Sequence, residues 1–176
     1  MKKSLGIVFV AFMIMCISIT SSVQAQEKLI QLSLWNTIQL EDASTSIHGL
    51  RLALYGENQN ITGIDWGGVL KVNGDMIGWQ SGVVNLVDGD MKGIQESLVN
   101  IVGGEVWGWQ SGAVNIAKGK VTGLQTGFVN MANELHGVQF SLVNVTNIQY
   151  GLQIGLINVN NGGTPFGILP IVNWKF

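Results

Sequence analysis

Few residues in this 176-residue chain have the type and spacing that catalysis or metal binding requires. Asp42, Ser46 and His48 are the residue types of a hydrolytic triad, but a triad is defined by side-chain geometry, and three neighbours along one segment do not establish it. The two histidines, His48 and His136, have no partner at the spacing of a zinc motif. The sequence therefore predicts no catalytic residue, no cofactor and no metal ligand, and we expect a protein that is not an enzyme.

Acidic residues lie beside several predicted turns, where carboxylates could bind calcium. The series breaks at Lys118 and Lys120, which carry the opposite charge. We therefore interpret these acids as solvated turn charges; they are Asp75, Asp88, Asp90 and Glu105.

The composition narrows the class of protein. Hydrophobic residues make up 47% of the chain and charged residues 11%, which argues against a disordered protein. The 24 glycines lack the three-residue period of collagen. A net charge of −2 without a basic patch indicates that nucleic acid is not a partner.

The first 25 residues have the pattern of a secretory signal peptide. Two lysines precede an apolar stretch at 5–19, and 23–25 fits a small-residue cleavage site. Cleavage would remove Cys16, the single cysteine, so that the exported chain 26–176 would have neither a disulfide nor thiol chemistry.

Positions 26–176 are built from a repeat of about fifteen residues, and we expect a single repeat-built β domain there, clearest at 76–160. The repeat has the form G-φ-Q-x-x-φ-φ-N, in which φ is mostly apolar. Its six clear copies are GWQSGVVN from Gly78, GIQESLVN from Gly93, GWQSGAVN from Gly108, GLQTGFVN from Gly123, GVQFSLVN from Gly137 and GLQIGLIN from Gly151. Glycine inside every copy and the β-branched residues beside it argue against a helix, so each copy is predicted to be a β-strand.

Dipeptides typical of tight turns separate the copies. Asn73-Gly74, Asp88-Gly89 and Gly103-Gly104 are strong hairpin signals, because a type I′ turn needs a positive φ at both central residues. These turns predict an antiparallel up-and-down meander of about ten strands, in which Gln80 faces Ser97. Closing the meander into a β-barrel would remove its open edges.

The side of each strand that carries Gly and Gln is predicted to face the lumen of this barrel. Arg51 and Asp65 occupy the Gln position in two early copies, and as diagonal neighbours on one face they can pair inside. The structural lumen candidates are Arg51, Asp65, Gln80, Gln95, Gln110, Gln125, Gln139 and Gln153.

The alternative all-β fold is a parallel β-solenoid with about fifteen residues per coil, which would stack Gln on Gln and Asn on Asn in ladders. We rank the solenoid second because a coil needs at least two corners, and each repeat contains only one strong turn signal.

The barrel interpretation predicts an outer-membrane location. Outward positions such as Trp79, Leu98 and Phe128 are apolar, as in transmembrane strands, whereas Glu96 would place a charge at mid-depth. The terminal Phe176 is a candidate assembly signal, so the expected partners are the outer membrane of a bacterium with two membranes and its barrel-assembly machinery.

We expect an exported cell-envelope protein with a structural or surface-interaction role. The alternatives are a soluble secreted β-solenoid or barrel that acts as a binding or adhesion module, and a small pore or ligand-binding barrel.

The repeat also resembles a known family. The run of G-φ-Q-x-G-φ-V-N copies, the entry QLSLW and the closing LPIVNWKF are similar to the bacterial surface-repeat family described in spirochaetes and widespread in Bacteroidetes. This resemblance implies an exported, envelope-associated protein, and the family has no established activity to carry over. The chain departs from the pattern at Arg51 and Asp65, which replace Gln, and at Gly56 and Leu70, which replace Asn.

Overall fold

The computed structural model describes residues 27–35, 37–163 and 165–176. The predicted signal peptide, 1–25, lies outside these residues. About 80% of the described residues are in β-strands and none is in a helix, which confirms the all-β class. In the part of the chain that the structure describes, no helix is long and apolar enough to cross a membrane.

Ten strands form one sheet in the order β10-β9-β8-β7-β5-β4-β3-β1-β2, and β6 pairs with β4 and β7. Their bounds are β1 Glu27–Trp35, β2 Ile38–Gln39, β3 Ser46–Asn58, β4 Ile61–Val72, β5 Met76–Ser81, β6 Val84–Val87, β7 Met91–Val102, β8 Val106–Phe140, β9 Val143–Asn160 and β10 Ile168–Lys175. The long strands β8 and β9 continue through coil corners without interruption of the strand conformation.

The fold is a parallel β-solenoid of about eight turns with about fifteen residues per coil. Each repeat lies on the preceding one in register, so that Gln80 pairs with Gln95 and Gln95 pairs with Gln110. The predicted antiparallel meander closed into a barrel is therefore wrong, and the solenoid that we ranked second is the fold. Within the described residues, antiparallel pairing occurs at the two ends, where β2 pairs with β1 and β10 pairs with β9.

The motif glycines form the second corner of each coil, for which the sequence shows no strong turn signal. Gly93 has a φ of +126°, and a Cβ atom there would lie 2.0 Å from the carbonyl oxygen of Gly78 in the coil below. At the second small position a Cβ on Gly127 would lie 2.0 Å from the oxygen of Gly112, whereas Ser97 and Ser141 occupy this position in two other copies. Glycine at both positions allows one backbone to approach another.

The turn dipeptides also stack from coil to coil. The amide of Gly89 donates to the carbonyl of Gly74 at 2.9 Å, and the amide of Gly104 donates to that of Gly89 at 2.9 Å. A residue pair that favours a hairpin turn is therefore equally able to form the corner of a coil.

Four positions of each coil point inward, and two of them are mostly apolar. Residues at these two positions form one continuous hydrophobic core: Ile47, Ile61, Val72, Met76, Val87, Met91, Val102, Val106, Ala117, Val121, Ala132 and Leu135. The other two inward positions are the Gln and Asn of the motif, which are fully buried from Gln80 to Asn158. The interior is thus half hydrocarbon and half amide.

Candidate functional site

The buried glutamines form a continuous hydrogen-bonded ladder through the solenoid. Each side-chain Nε2 donates to the Oε1 of the glutamine in the preceding coil, over 2.7–2.8 Å, from Gln153 to Gln139 and so on to Gln80. A buried amide without a partner costs about 1–3 kcal/mol, so the ladder removes a penalty that would recur in every coil. Six lumen candidates thus line the interior of a solenoid, not the lumen of a barrel.

An ion pair forms the N-terminal end of this ladder. Gln80 Nε2 donates to Asp65 Oδ2 at 2.8 Å, and Asp65 accepts two further bonds from Arg51 Nε and Nη2, both at 2.7 Å. Both charged side chains have no solvent exposure. Arg51 and Asp65 are direct partners in the parallel register, so the diagonal placement that we predicted is wrong, although the two side chains do lie together inside.

Gly56, one of the two residues that replace Asn, lies beside this ion pair. Arg51 also donates through Nη1 to the carbonyl oxygen of Lys71 at 2.9 Å, which requires its side chain to cross the interior. Gly56 leaves room for it, since a Cβ there would lie 3.4 Å from Arg51 Cδ and 2.7 Å from Ala53 Cβ. A side chain at position 56 would therefore meet Ala53 first and would lie in ordinary contact with Arg51.

The buried asparagines form a second ladder with the opposite polarity. Each Nδ2 donates to the Oδ1 of the asparagine in the following coil, over 2.8–3.2 Å, from Asn85 to Asn158. The same nitrogen reaches a corner carbonyl of that coil, as Asn100 does to Ser111 at 2.9 Å. Asparagine thus satisfies a backbone group that the sheet ladder leaves unpaired at the corner.

Each ladder ends at its acceptor side in an oxygen without a donor among the described residues. These atoms are Gln153 Oε1 in the last coil and Asn85 Oδ1 next to Leu70. The Gln ladder therefore carries an anion at its donor end, Asp65, and a bare carbonyl oxygen at its acceptor end. Sequence reasoning predicted neither the polarity nor the ends.

Outward positions form what we call the apolar face, defined as the residues one, three and five places after each motif glycine. Large side chains there are widely exposed: Leu54, Ile64, Trp66, Trp79, Val83, Ile94, Leu98, Trp109, Phe128, Phe140, Leu142 and Leu156. Within the described residues the face carries one charge, Glu96, and its carboxylate accepts a hydrogen bond from Trp79 Nε1 at 3.0 Å. An open groove of about 420 Å³ crosses the face between Leu98 and Phe128.

The residues considered for catalysis are not brought together as a triad. His48 lies 3.6 Å from Glu27, and Ser46 Oγ accepts a hydrogen bond from Asn60. His136 contacts Glu134 and stacks on the ring of Tyr150 at the surface. Among the described residues no group of three or more His, Cys, Asp and Glu side chains could hold a metal ion.

The turn acids form a column on the outside of the solenoid. Asp75 Oδ1 accepts from the amide of Asp90, and Asp90 Oδ1 accepts from the amide of Glu105, each at 2.8 Å. Lys120 pairs with Glu105 at 3.4 Å in the next coil. The carboxylates of Asp75 and Asp90 therefore cap backbone amides at the corner, whereas Asp88 and Glu105 pair with Lys71 and Lys120.

Phe176 follows β10 and is 93% exposed, so its side chain is available at the surface. Trp174, two residues earlier, makes an edge contact with Phe166 at 6.4 Å between ring centroids.

Comparison of the chain with protein-family models, with curated proteins and with solved structures finds no match.

Proposed function

We propose that this chain is an exported, non-catalytic binding module of the bacterial cell envelope, which recognises its partner through the apolar face. The observation that carries the proposal is the exposure of large apolar side chains along successive coils, for example 62% for Leu98 and 63% for Phe128. Monomeric soluble proteins rarely expose contiguous apolar patches of more than a few hundred Å², and larger patches mark interaction sites.

The interior supports such a role because it makes the face rigid. Two amide ladders and the hydrophobic core fix each coil on the next, so the exposed side chains stand at regular spacings of about 4.8 Å between coils. A preformed surface loses little conformational entropy on binding, which favours affinity. Rigid scaffolds that present variable outer residues are suited to recognition.

The other functions considered depended on a barrel. A transmembrane barrel requires a closed antiparallel sheet, and a pore requires a lumen, but this sheet is parallel and its inward positions are filled by buried side chains. The fold therefore favours the alternative function, a secreted solenoid that acts as a binding or adhesion module. The export signal and the envelope location remain parts of the proposal that rest on the sequence. The role predicted for Phe176 depended on barrel assembly and is not part of the proposal.

The test measures association of the purified chain 26–176 with envelope fragments from the source cells. We expect the wild-type protein to co-sediment with the fragments, and the double variant Leu98→Ser with Phe128→Ser to bind at least about tenfold less, since each side chain contributes about 1.5–3 kcal/mol when fully buried. Both positions are exposed, so the free energy of unfolding should change by less than about 0.5 kcal/mol.

The matched control is Asp88→Ser, which changes an exposed corner residue away from the apolar face. It should bind as the wild type does. The proposal is wrong if the wild-type protein stays in the supernatant, or if the double variant and the control sediment equally with the wild type.

A further inference from the structure

Three buried amide oxygens without a donor belong to the last coil and to β10, at the C-terminal end of the solenoid. Of the five buried side-chain oxygens that lack a hydrogen-bond partner within the described residues, three belong to Gln149, Gln153 and Asn173. Their side chains are 99% or more buried. Each such oxygen costs about 1–3 kcal/mol, so three of them at one end of the solenoid call for a physical explanation.

The contacts of these residues place them at one end of the interior, beneath β10. Asn173 is the antiparallel register partner of Gln153, so their side chains extend from neighbouring positions on the same face. Gln149 Nε2 donates to the carbonyl oxygen of Asn173 at 3.0 Å and to that of Gly151 at 3.1 Å. The Gln149 amide therefore lies against the same strand, with its Oε1 unpaired.

The residue types at the inward positions change at this end of the solenoid. The inward position that Gln149 occupies is apolar in the earlier coils, from Ile47 to Leu135. At the other apolar position Thr146 and Asn160 follow Ala132, and this position is also polar in the first coil, where Asn58 occupies it. Polar groups thus replace hydrocarbon in the coil that contributes Gln149 and Gln153, which packing alone does not require.

The electrostatics of the Gln ladder favour positive charge at this end. Its amide dipoles are aligned, with N–H groups directed toward Asp65 and carbonyl oxygens toward Gln153. An aligned row of amides stabilises an anion at its donor end and a cation at its acceptor end, as a helix does. The donor end already has its anion in the carboxylate of Asp65.

We propose that the C-terminal end of the Gln ladder binds one alkali-metal cation, Na⁺ or K⁺, through the side-chain oxygens of Gln149, Gln153 and Asn173. The three ligands are neutral carbonyl-type oxygens, which coordinate alkali cations in proteins. Calcium and magnesium sites draw on carboxylates, and none is present in this set. Asn85 Oδ1 is a useful contrast, because it stands alone beside Leu70 and does not form a site.

The experiment compares the thermal unfolding midpoint of the chain 26–176 in NaCl, KCl and choline chloride at equal ionic strength. Choline is too large for a buried site and matches the screening of surface charges. We expect a higher midpoint in one or both alkali salts. Above the dissociation constant, the midpoint should rise by about 3–5 °C for each tenfold increase in cation concentration.

Two variants separate a cation site from general salt effects. Gln149→Leu introduces the residue type of Leu135 at this position, so the variant should fold and should lose the dependence on cation identity. Gln110→Leu breaks the middle of the ladder; it should lower the midpoint in every salt and keep the dependence. Crystals grown in rubidium chloride should show an anomalous peak in contact with Asn173 Oδ1 and Gln153 Oε1.

Equal midpoints of the wild-type protein in choline, sodium and potassium chloride would overturn the proposal, and would indicate that water alone bridges the three oxygens. The proposal also fails if Gln149→Leu retains the full cation dependence. Neither outcome bears on the apolar face, so the proposed function is tested separately.

Discussion

Replacing Asp65 with Asn tests how the Gln ladder ends. The carboxylate accepts three hydrogen bonds, two from Arg51 at 2.7 Å and one from Gln80 at 2.8 Å, with no exposure of either charged side chain. An amide at position 65 would offer one oxygen in place of two and would turn its own N–H groups toward Arg51 or Gln80. Removing one member of a buried ion pair leaves the other charge uncompensated, so we expect Asp65→Asn to lower the free energy of unfolding by about 3–5 kcal/mol.

A double variant supplies the matched control. Arg51→Gln together with Asp65→Gln places the Gln of the repeat motif in both coils. The side-chain amide of Gln80 can then donate to the new Gln at position 65, and that Gln can donate to the one at position 51. Buried ion pairs are often replaceable by groups of similar volume at little cost. Arg51→Gln also removes the donor to the carbonyl oxygen of Lys71, so we expect the double variant to lose about 1–3 kcal/mol, less than Asp65→Asn loses.

Urea unfolding, followed by tryptophan fluorescence and circular dichroism, measures both variants, and coincident transitions justify a two-state free energy. The reasoning is refuted if Asp65→Asn costs less than about 1 kcal/mol, or if the double variant is as unstable as the single one. The first result would mean that the carboxylate is not needed to terminate the ladder. The second would mean that the two charges stabilise the fold beyond their compensation of each other.

Further predictions concern the Asn ladder and the glycine corners. Asn115→Ala removes a donor to Asn130 at 2.8 Å inside the protein, and we expect a loss of about 2–4 kcal/mol in urea unfolding; a loss below about 0.5 kcal/mol would contradict the role of the ladder. Gly93→Ala should lower the thermal midpoint by at least about 6 °C or prevent folding, because its Cβ would meet Gly78 O at 2.0 Å at a φ of +126°. Gly163→Ala is the control for positive φ alone, since no atom lies within 4 Å of its Cβ, and it should cost only about 1 kcal/mol. Equal losses for the two glycine variants would show that coil contact is not what selects glycine at the corner.

The sequence was sufficient for the strand class and the repeat length but not for the direction of pairing. Valine, glycine and the regular spacing exclude helices under either fold. Asp88-Gly89 fits a hairpin turn as well as a coil corner, because both need a backbone that other residues rarely adopt. The glycines that stack on Gly78 decide between the two folds, because glycine there allows the backbone of the next coil to approach closely.

The contact between Arg51 and Asp65 could be anticipated because it depends only on motif position. Both residues replace Gln in adjacent repeats, so the two lie near each other whether the repeats run antiparallel or parallel. The free oxygens of Gln149 and Asn173 could not be anticipated, since they arise from the reversal of direction in β10 over the last coil. No repeat pattern encodes that reversal.

The separation of interior and exterior explains how one repeat can support a specific surface. Interior amides fix the register, because a one-residue slip would move Gln110 away from Gln95 and leave buried amides without partners. The exterior is free of that constraint, since Trp79 and Ile94 occupy one register position with different side chains. The outer residues can therefore vary while the coil beneath them stays constant. This is the physical reason to assign stability to the ladders and recognition to the apolar face.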